Sequence, residues 1–224
     1  MLRKIELVIF LLIVTGFVIL NKNLGDLINQ VSSEQVKTGK KVIVVDAGHG
    51  GGDPGKVGIN GVVEKELNLQ IAEKVKELLE KKNIMVVMTR ESDVMLEGTK
   101  STDMKKRVDI INETKPDLAV SIHQNSYTDP GVYGAQTFFY SGSEEGKRCA
   151  EIIQNELLKF DETNHRQAKA NDNYYLLTRT KVPTVIVECG FLSNNEEAGK
   201  LSDRTYQDEI SKVIVRGIES CFEN

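Results

Sequence analysis

Val42-Ile43-Val44-Val45-Asp46-Ala47-Gly48-His49-Gly50-Gly51 is the stretch on which the fold turns. Its consecutive β-branched residues suit a strand buried on both faces, where no polar alternation is required. The turn that follows, running on as Gly52-Asp53-Pro54-Gly55, lets the backbone bend sharply around a histidine. Beyond it, over 66–82, Leu67, Ile71, Val75, Leu78 and Leu79 recur at helical spacing, and Asn83 stands after a lysine pair as a helix stop. A buried strand, a glycine-rich turn and an amphipathic helix together open an α/β unit.

Outward from this unit the pattern repeats. Apolar runs predict strands at 84–88, 118–122, 134–140 and 184–187, with a short strand or extended segment at 174–177. Helices are expected over 102–114, ending before Pro116, over 144–158, and over 203–221 with Ile210, Val213, Ile214, Gly217 and Ile218 on one side. Strands separated by helices predict an α/β fold: one domain with a mostly parallel or mixed central sheet flanked by helices on both faces. Such sheets bind ligands beyond the carboxyl ends of their strands.

Three regions follow from the composition. In residues 1–20, Arg3 and Lys4 precede an apolar run over 7–20 whose only polar member is Thr15. This reads as an export signal or membrane anchor, and the absence of a small-x-small cleavage site favours an uncleaved anchor. The basic end stays in the cytoplasm and places the remainder outside. Residues 21–40 are polar and read as a linker, and 41–224 form the globular domain. With 29 basic and 33 acidic side chains, net −4, neither sign dominates, which excludes nucleic acid as an expected partner. Cys149, Cys189 and Cys221 form no paired spacing, so the fold must rest on its core.

The chain has only three histidines, and two of them end strands. His49 follows the first strand, and His123 follows the third in Ser121-Ile122-His123-Gln124-Asn125. Glu188 ends another apolar strand in Val185-Ile186-Val187-Glu188-Cys189-Gly190. Parallel strands would bring all three to one sheet edge. Two imidazoles and one carboxylate suit Zn²⁺ with a fourth position open. A phosphate loop is the rival reading of the glycine-rich turn, but neither nucleotide-binding glycine pattern is present and a histidine sits in its middle. His165, in a polar loop, is expected to be a solvated surface residue, and Cys189, one step past Glu188, should turn to the opposite face. Arg90, Arg107 and Arg166 are candidates to hold substrate carboxylates, against the plain reading of exposed arginines without a specific role.

The motifs Val44-Val45-Asp46-Ala47-Gly48-His49-Gly50-Gly51 with Asp53-Pro54-Gly55, Glu64-Lys65-Glu66-Leu67-Asn68-Leu69, Ser121-Ile122-His123-Gln124-Asn125 and Val187-Glu188-Cys189-Gly190-Phe191-Leu192-Ser193-Asn194 occur in this order. Together they resemble the zinc-dependent N-acetylmuramoyl-L-alanine amidase family, in the branch typified by the amidase-3 catalytic domain. The resemblance runs from about Lys41 to the C-terminus. It implies hydrolysis of the amide between the lactyl group of N-acetylmuramic acid and the first alanine of the peptidoglycan stem peptide. It implies His49, Glu64 and His123 as zinc ligands and Glu188 as the catalytic carboxylate. Glu64 comes from the resemblance alone; by position it reads equally as an acidic residue complementing a helix N-terminus. Ala47, where the family often has proline, and Glu66-Leu67 depart from the family pattern without touching a proposed ligand.

Asp46-Ala47-Gly48-His49, the short length and Asn171-Asp172-Asn173-Tyr174-Tyr175-Leu176-Leu177 look most like the germination-specific, spore-cortex subgroup. That subgroup makes muramic-δ-lactam together with a separate deacetylase, which implies a peptidoglycan substrate and a place in the forespore or spore envelope. Two other readings stand beside it: another zinc hydrolase of wall polymers, either a peptidase or a deacetylase, and a wall-binding module without catalysis.

Overall fold

The computed structural model describes residues 25–31, 33–35 and 38–223. It divides into two units, Met1–Gly39 and Lys40–Asn224. In the first, 25–31 and 33–35 are helical, within the segment expected as a linker; the expected anchor, 1–20, lies outside the described residues. Among the described residues no helix is long and apolar enough to cross a membrane.

The second unit is built on a sheet of β1 (Val42–Ala47), β2 (Met85–Met88), β3 (Leu118–Asn125), β4 (Gln136–Phe139), β5 (Lys169–Ala170) and β6 (Thr184–Phe191). Their order is β2-β1-β3-β6-β4-β5. The pairs β1–β2, β1–β3 and β3–β6 are parallel, whereas β4 runs antiparallel to β6. The sheet is therefore mixed. Six helices accompany it: α1 (Glu64–Lys81), α2 (Lys100–Thr114), α3 (Glu144–Phe160), α4 (Tyr175–Arg179), α5 (Asn195–Ser202) and α6 (Arg204–Ser220).

Period-two alternation assigns the faces. Ile43, Val45 and Ala47 of β1, Leu118, Val120 and Ile122 of β3, and Val185, Val187 and Cys189 of β6 belong to one core cluster. Leu67, Ile71, Val75 and Leu79 of α1, Ile153 and Leu157 of α3, and Ile210, Ile214 and Ile218 of α6 complete it. The alternate positions, Asp46, Ser121, His123 and Glu188, thus turn to the opposite face, where α2 and α4 pack. In the register His123 stands beside Glu188, and Asp46 beside Ser121. Cys189 is buried in the core cluster, on the face away from Glu188.

One expected element differs. Residues 174–177 are not a strand: Tyr174 is extended and precedes α4. Asn171 Oδ1 accepts from the backbone N–H groups of Asn173 (2.9 Å) and Tyr174 (3.1 Å), a side-chain turn that fixes the chain just ahead of the helix. Asn83 stops α1 at φ 62°, as its position after the lysine pair predicts.

Candidate active site

The loop after β1 brings His49 to the carboxyl edge of the sheet with φ 62°, in the left-handed region that a side chain rarely adopts. Two buried arginines hold that conformation. Arg107 of α2 donates to the carbonyls of Ala47 (2.6 Å) and His49 (2.5 Å), and to Asp46 Oδ1 (2.7 Å). Arg90, just beyond β2, donates to the carbonyls of Ala47 (2.8 Å), Gly48 (3.0 Å) and Lys65 (2.8 Å). These guanidiniums, read from sequence as exposed or carboxylate-binding, are 3% and 1% exposed for Arg90 and Arg107, and their hydrogen bonds serve the loop. Arg166 is likewise engaged internally, donating to the Tyr133 carbonyl at 2.9 Å and lying over the Phe191 ring.

Glu64 is the first residue of α1 and is buried. Its Oε1 lies 3.2 Å from His49 Nε2 and 3.0 Å from His123 Nδ1. Backbone N–H groups of Gln124 (3.2 Å, to Oε1) and Lys56 (2.8 Å, to Oε2) fix the carboxylate, with Asn68 Nδ2 one helical turn on at 3.3 Å. Glu66, two residues later, is exposed, as helical geometry requires. The other ring nitrogen of His49 lies 2.8 Å from Asp53 Oδ2. The two imidazoles meet edge to face, with centroids 5.0 Å apart.

Two glycines make this approach possible. A Cβ at Gly48 would collide with the His123 ring. At Gly55, φ +68°, it would sit 2.5 Å from Glu64 Oε2 and 2.7 Å from His49 Cδ2. His49, Glu64 and His123 each offer a ligand-type atom within 4.8 Å of the others, and they form the one such group of His, Cys, Asp or Glu among the described residues. His165, by contrast, is exposed in its loop and takes no part.

Charge is organised accordingly. Burial opposes protonation of His49, but the adjoining Glu64 and Asp53 carboxylates outweigh it and raise its pKa. Burial also works against ionisation of Glu64, yet the two imidazoles hold its carboxyl well below the usual range. Glu188 is different. It is 7% exposed, its Oε2 has no hydrogen-bond partner among the described residues, and burial pushes its pKa up to about 7. A carboxyl poised near neutrality and without an internal partner is suited to take and return a proton. It lines the same cavity of about 540 Å³ as His49, Glu64 and His123, with Asn125, Tyr174 and Tyr175 on the walls. Asn125 also accepts from the Ser126 N–H at 2.8 Å, so it both shapes the turn and faces the cavity.

The family model for N-acetylmuramoyl-L-alanine amidase matches residues 43–220, which takes in every residue of this site. The chain belongs to the N-acetylmuramoyl-L-alanine amidase family. The amidase is 39% identical over 190 residues to the germination-specific N-acetylmuramoyl-L-alanine amidase of Bacillus subtilis, covering 81% of this chain and 80% of that one. The CwlD amidase of Clostridioides difficile, solved in complex with the GerS lipoprotein, superposes with a TM-score of 0.78 at 38% identity, over 81% of this chain and 98% of that one. AmiC2 of Nostoc punctiforme gives a TM-score of 0.74 at 30% identity, over 82% and 98%. The amidase is thus a hydrolase of a carbon–nitrogen bond in peptidoglycan.

Sequence reasoning placed His49, His123 and Glu188 at strand ends, and the structure brings them with Glu64 to one cavity. It assigned no role to Asp53, Asn68, Arg90 or Arg107 in positioning them. The i+4 spacing of Asp53 from His49, and of Asn68 from Glu64, was the available signal.

Proposed function

We propose that the amidase binds zinc through His49, Glu64 and His123 and uses Glu188 to hydrolyse the amide between the lactyl group of N-acetylmuramic acid and L-alanine. The observation that carries this reading is the meeting of two imidazoles and a carboxylate within 4.8 Å, beside a buried carboxylate whose Oε2 has no partner among the described residues. The donor set fits a borderline metal that accepts nitrogen and oxygen, and Gly48 and Gly55 leave the space the ligand side chains need. Bound zinc supplies Lewis-acid polarisation of the scissile carbonyl.

The chain's own residues do the rest. The Glu188 carboxylate accepts a proton as water attacks the carbonyl carbon, then returns it to the alanine nitrogen as the carbon–nitrogen bond breaks. The products are the free lactyl carboxylate and the peptide amine. Asp53 holds the outer nitrogen of His49 so that Nε2 faces Glu64.

Purified protein tests the assignment through metal analysis and mass spectrometry of digested peptidoglycan. Glu188→Gln retains zinc and loses turnover by several orders of magnitude, whereas His49→Ala loses both. Zinc retained in His49→Ala, or full turnover in Glu188→Gln, refutes these roles.

The biological setting is part of the same proposal. The 39% identity to a germination-specific amidase supports action in spore cortex, in muramic-δ-lactam formation. Cortex from spores lacking the protein should then contain no muramic-δ-lactam. The apolar run over 7–20 supports export with anchorage at the outer side of the cytoplasmic membrane. The likeness to an amidase solved with a lipoprotein supports an accessory protein of that kind.

A further inference from the structure

The segment Asn171-Asp172-Asn173-Tyr174-Tyr175 supplies none of the His and Glu side chains of the site, yet it is firmly built. Asn171 N–H donates to the Phe139 carbonyl at the end of β4 (2.8 Å), and its side chain caps Asn173 and Tyr174. Asp172 accepts from the Ser141 N–H (3.0 Å) and hydroxyl (2.9 Å). Leu176 and Leu177, which follow, are buried. These contacts pin the backbone on both sides of the two tyrosines.

The tyrosine rings are held as well. Tyr174 meets Phe138 edge to face, with centroids 5.7 Å apart, and the Arg179 guanidinium lies 5.7 Å from the Tyr175 ring. Both rings nevertheless stay open, 37% and 44% exposed, and both line the cavity that holds Glu188. Scattered exposed aromatics are ordinary; two adjacent ones, fixed by their neighbours and facing the reactive groups, form a contact surface. Tyrosine gives such a surface large, rigid area at little cost in conformational entropy.

The sheet order decides what the surface takes. His49 follows β1, His123 lies on β3 and Glu188 on β6, and the tyrosine wall stands against β4, the next strand along. Lys56 and Lys100 line the cavity on the His49 side, where Lys100 pairs with Asp53. Burial raises the pKa of the Tyr174 phenol, and the charges of Glu188 and Glu64 add to it. The lysine side of the cavity offers charge to a carboxylate-bearing peptide, whereas the two aromatic faces suit a neutral group with an apolar C–H face.

Resting on the amidase reading above, we propose that Tyr174 and Tyr175 form a saccharide subsite that seats the N-acetylmuramic acid ring and makes the enzyme select glycan-linked stem peptide over the same peptide on a bare lactyl group. They are specificity-determining residues, acting on substrate binding.

Steady-state kinetics on two substrates test this: a muropeptide with its sugar, and the same stem peptide carrying only the lactyl group. Tyr174→Ala and, independently, Tyr175→Ala should lower kcat/KM for the sugar substrate by roughly tenfold, mainly through KM. Tyr174→Phe should stay within about twofold of wild type, because the ring face remains. The bare lactyl-peptide should be cleaved equally by all, so the preference for the sugar collapses in the alanine variants. Metal content and melting temperature equal to wild type establish that the variants are folded. Equal losses on both substrates, no loss on either, or a phenylalanine variant as impaired as the alanine one overturn the subsite. A zinc-loaded wild type inert on both substrates refutes the amidase reading itself; unchanged selectivity in active variants refutes only the subsite.

Discussion

At Gly48 the carbonyl accepts from Arg90 and Asn68, and the missing side chain leaves the space occupied by the His123 ring. A methyl group there would have to displace either the ring, held by Glu64, or the loop, fixed by buried hydrogen bonds. Gly48→Ala is therefore expected to separate His123 from Glu64 while leaving the core untouched. Displacement on the 1 Å scale costs about a hundredfold in rate where groups act in concert. Metal content after dialysis should fall with turnover, and circular dichroism should remain that of wild type. Unchanged metal content and rate would show that the ring has room to move. Asp53 acts more mildly: Asp53→Ala leaves His49 Nδ1 without its 2.8 Å partner and should weaken metal affinity by about 10–100-fold, measured by competition with a chelator.

Among the elements, α2 contributes most to the cavity without supplying His49, Glu64, His123 or Glu188. Its Arg107 joins Asp103 on the same helix, Asp46 on β1 and the backbone of the histidine loop. Burial works against ionisation of Asp46, but Arg107, Ser121 and Thr89 hold its pKa at about 2, below the ordinary 3.8. A folded-state pKa lowered in this way adds stability that is fully present above the unfolded value and lost as pH falls through the folded one. Asp46→Asn should destabilise at neutral pH by about 3–5 kcal/mol, the range for breaking a buried ion pair. The gap between wild type and variant should narrow as pH drops from 3.8 towards 2, followed by urea unfolding. A gap independent of pH would place the cost in packing instead.

The elements also differ in how legible they were. β1, β3 and β6 announced themselves as apolar runs, and His49, His123 and Glu188 were visible as the polar groups ending them. Glu64 was not, because a glutamate at a helix start has an ordinary electrostatic reason to be there. The arginine clamp was hidden for another reason: guanidiniums bonded to backbone carbonyls leave no residue pattern to match. Over 174–177 local composition favoured extended chain, which holds for Tyr174 alone; from Tyr175 the buried Leu176 and Leu177 pack as a short helix.

On the scale of the whole molecule, the question is whether the site needs the proposed zinc in order to exist. Glu64 is held by two backbone N–H groups and Asn68, His49 by Asp53 and the arginine-clamped loop, and His123 by its place on β3. All three rest on a core that spans α1, α3, α6 and the sheet. This contrasts with small zinc domains, in which metal binding is itself the folding energy. A chelator should accordingly leave secondary structure intact and lower the melting temperature. Zinc at a hundredfold over its dissociation constant adds about 2.7 kcal/mol. At roughly 2–4 °C per kcal/mol for a domain of this size, the shift should be about 5–10 °C. Restoring zinc should return both the melting temperature and turnover. Loss of cooperative unfolding on chelation would mean instead that the ion organises the loops, and that the hydrogen bonds to Glu64 and His49 are too weak to do so without it.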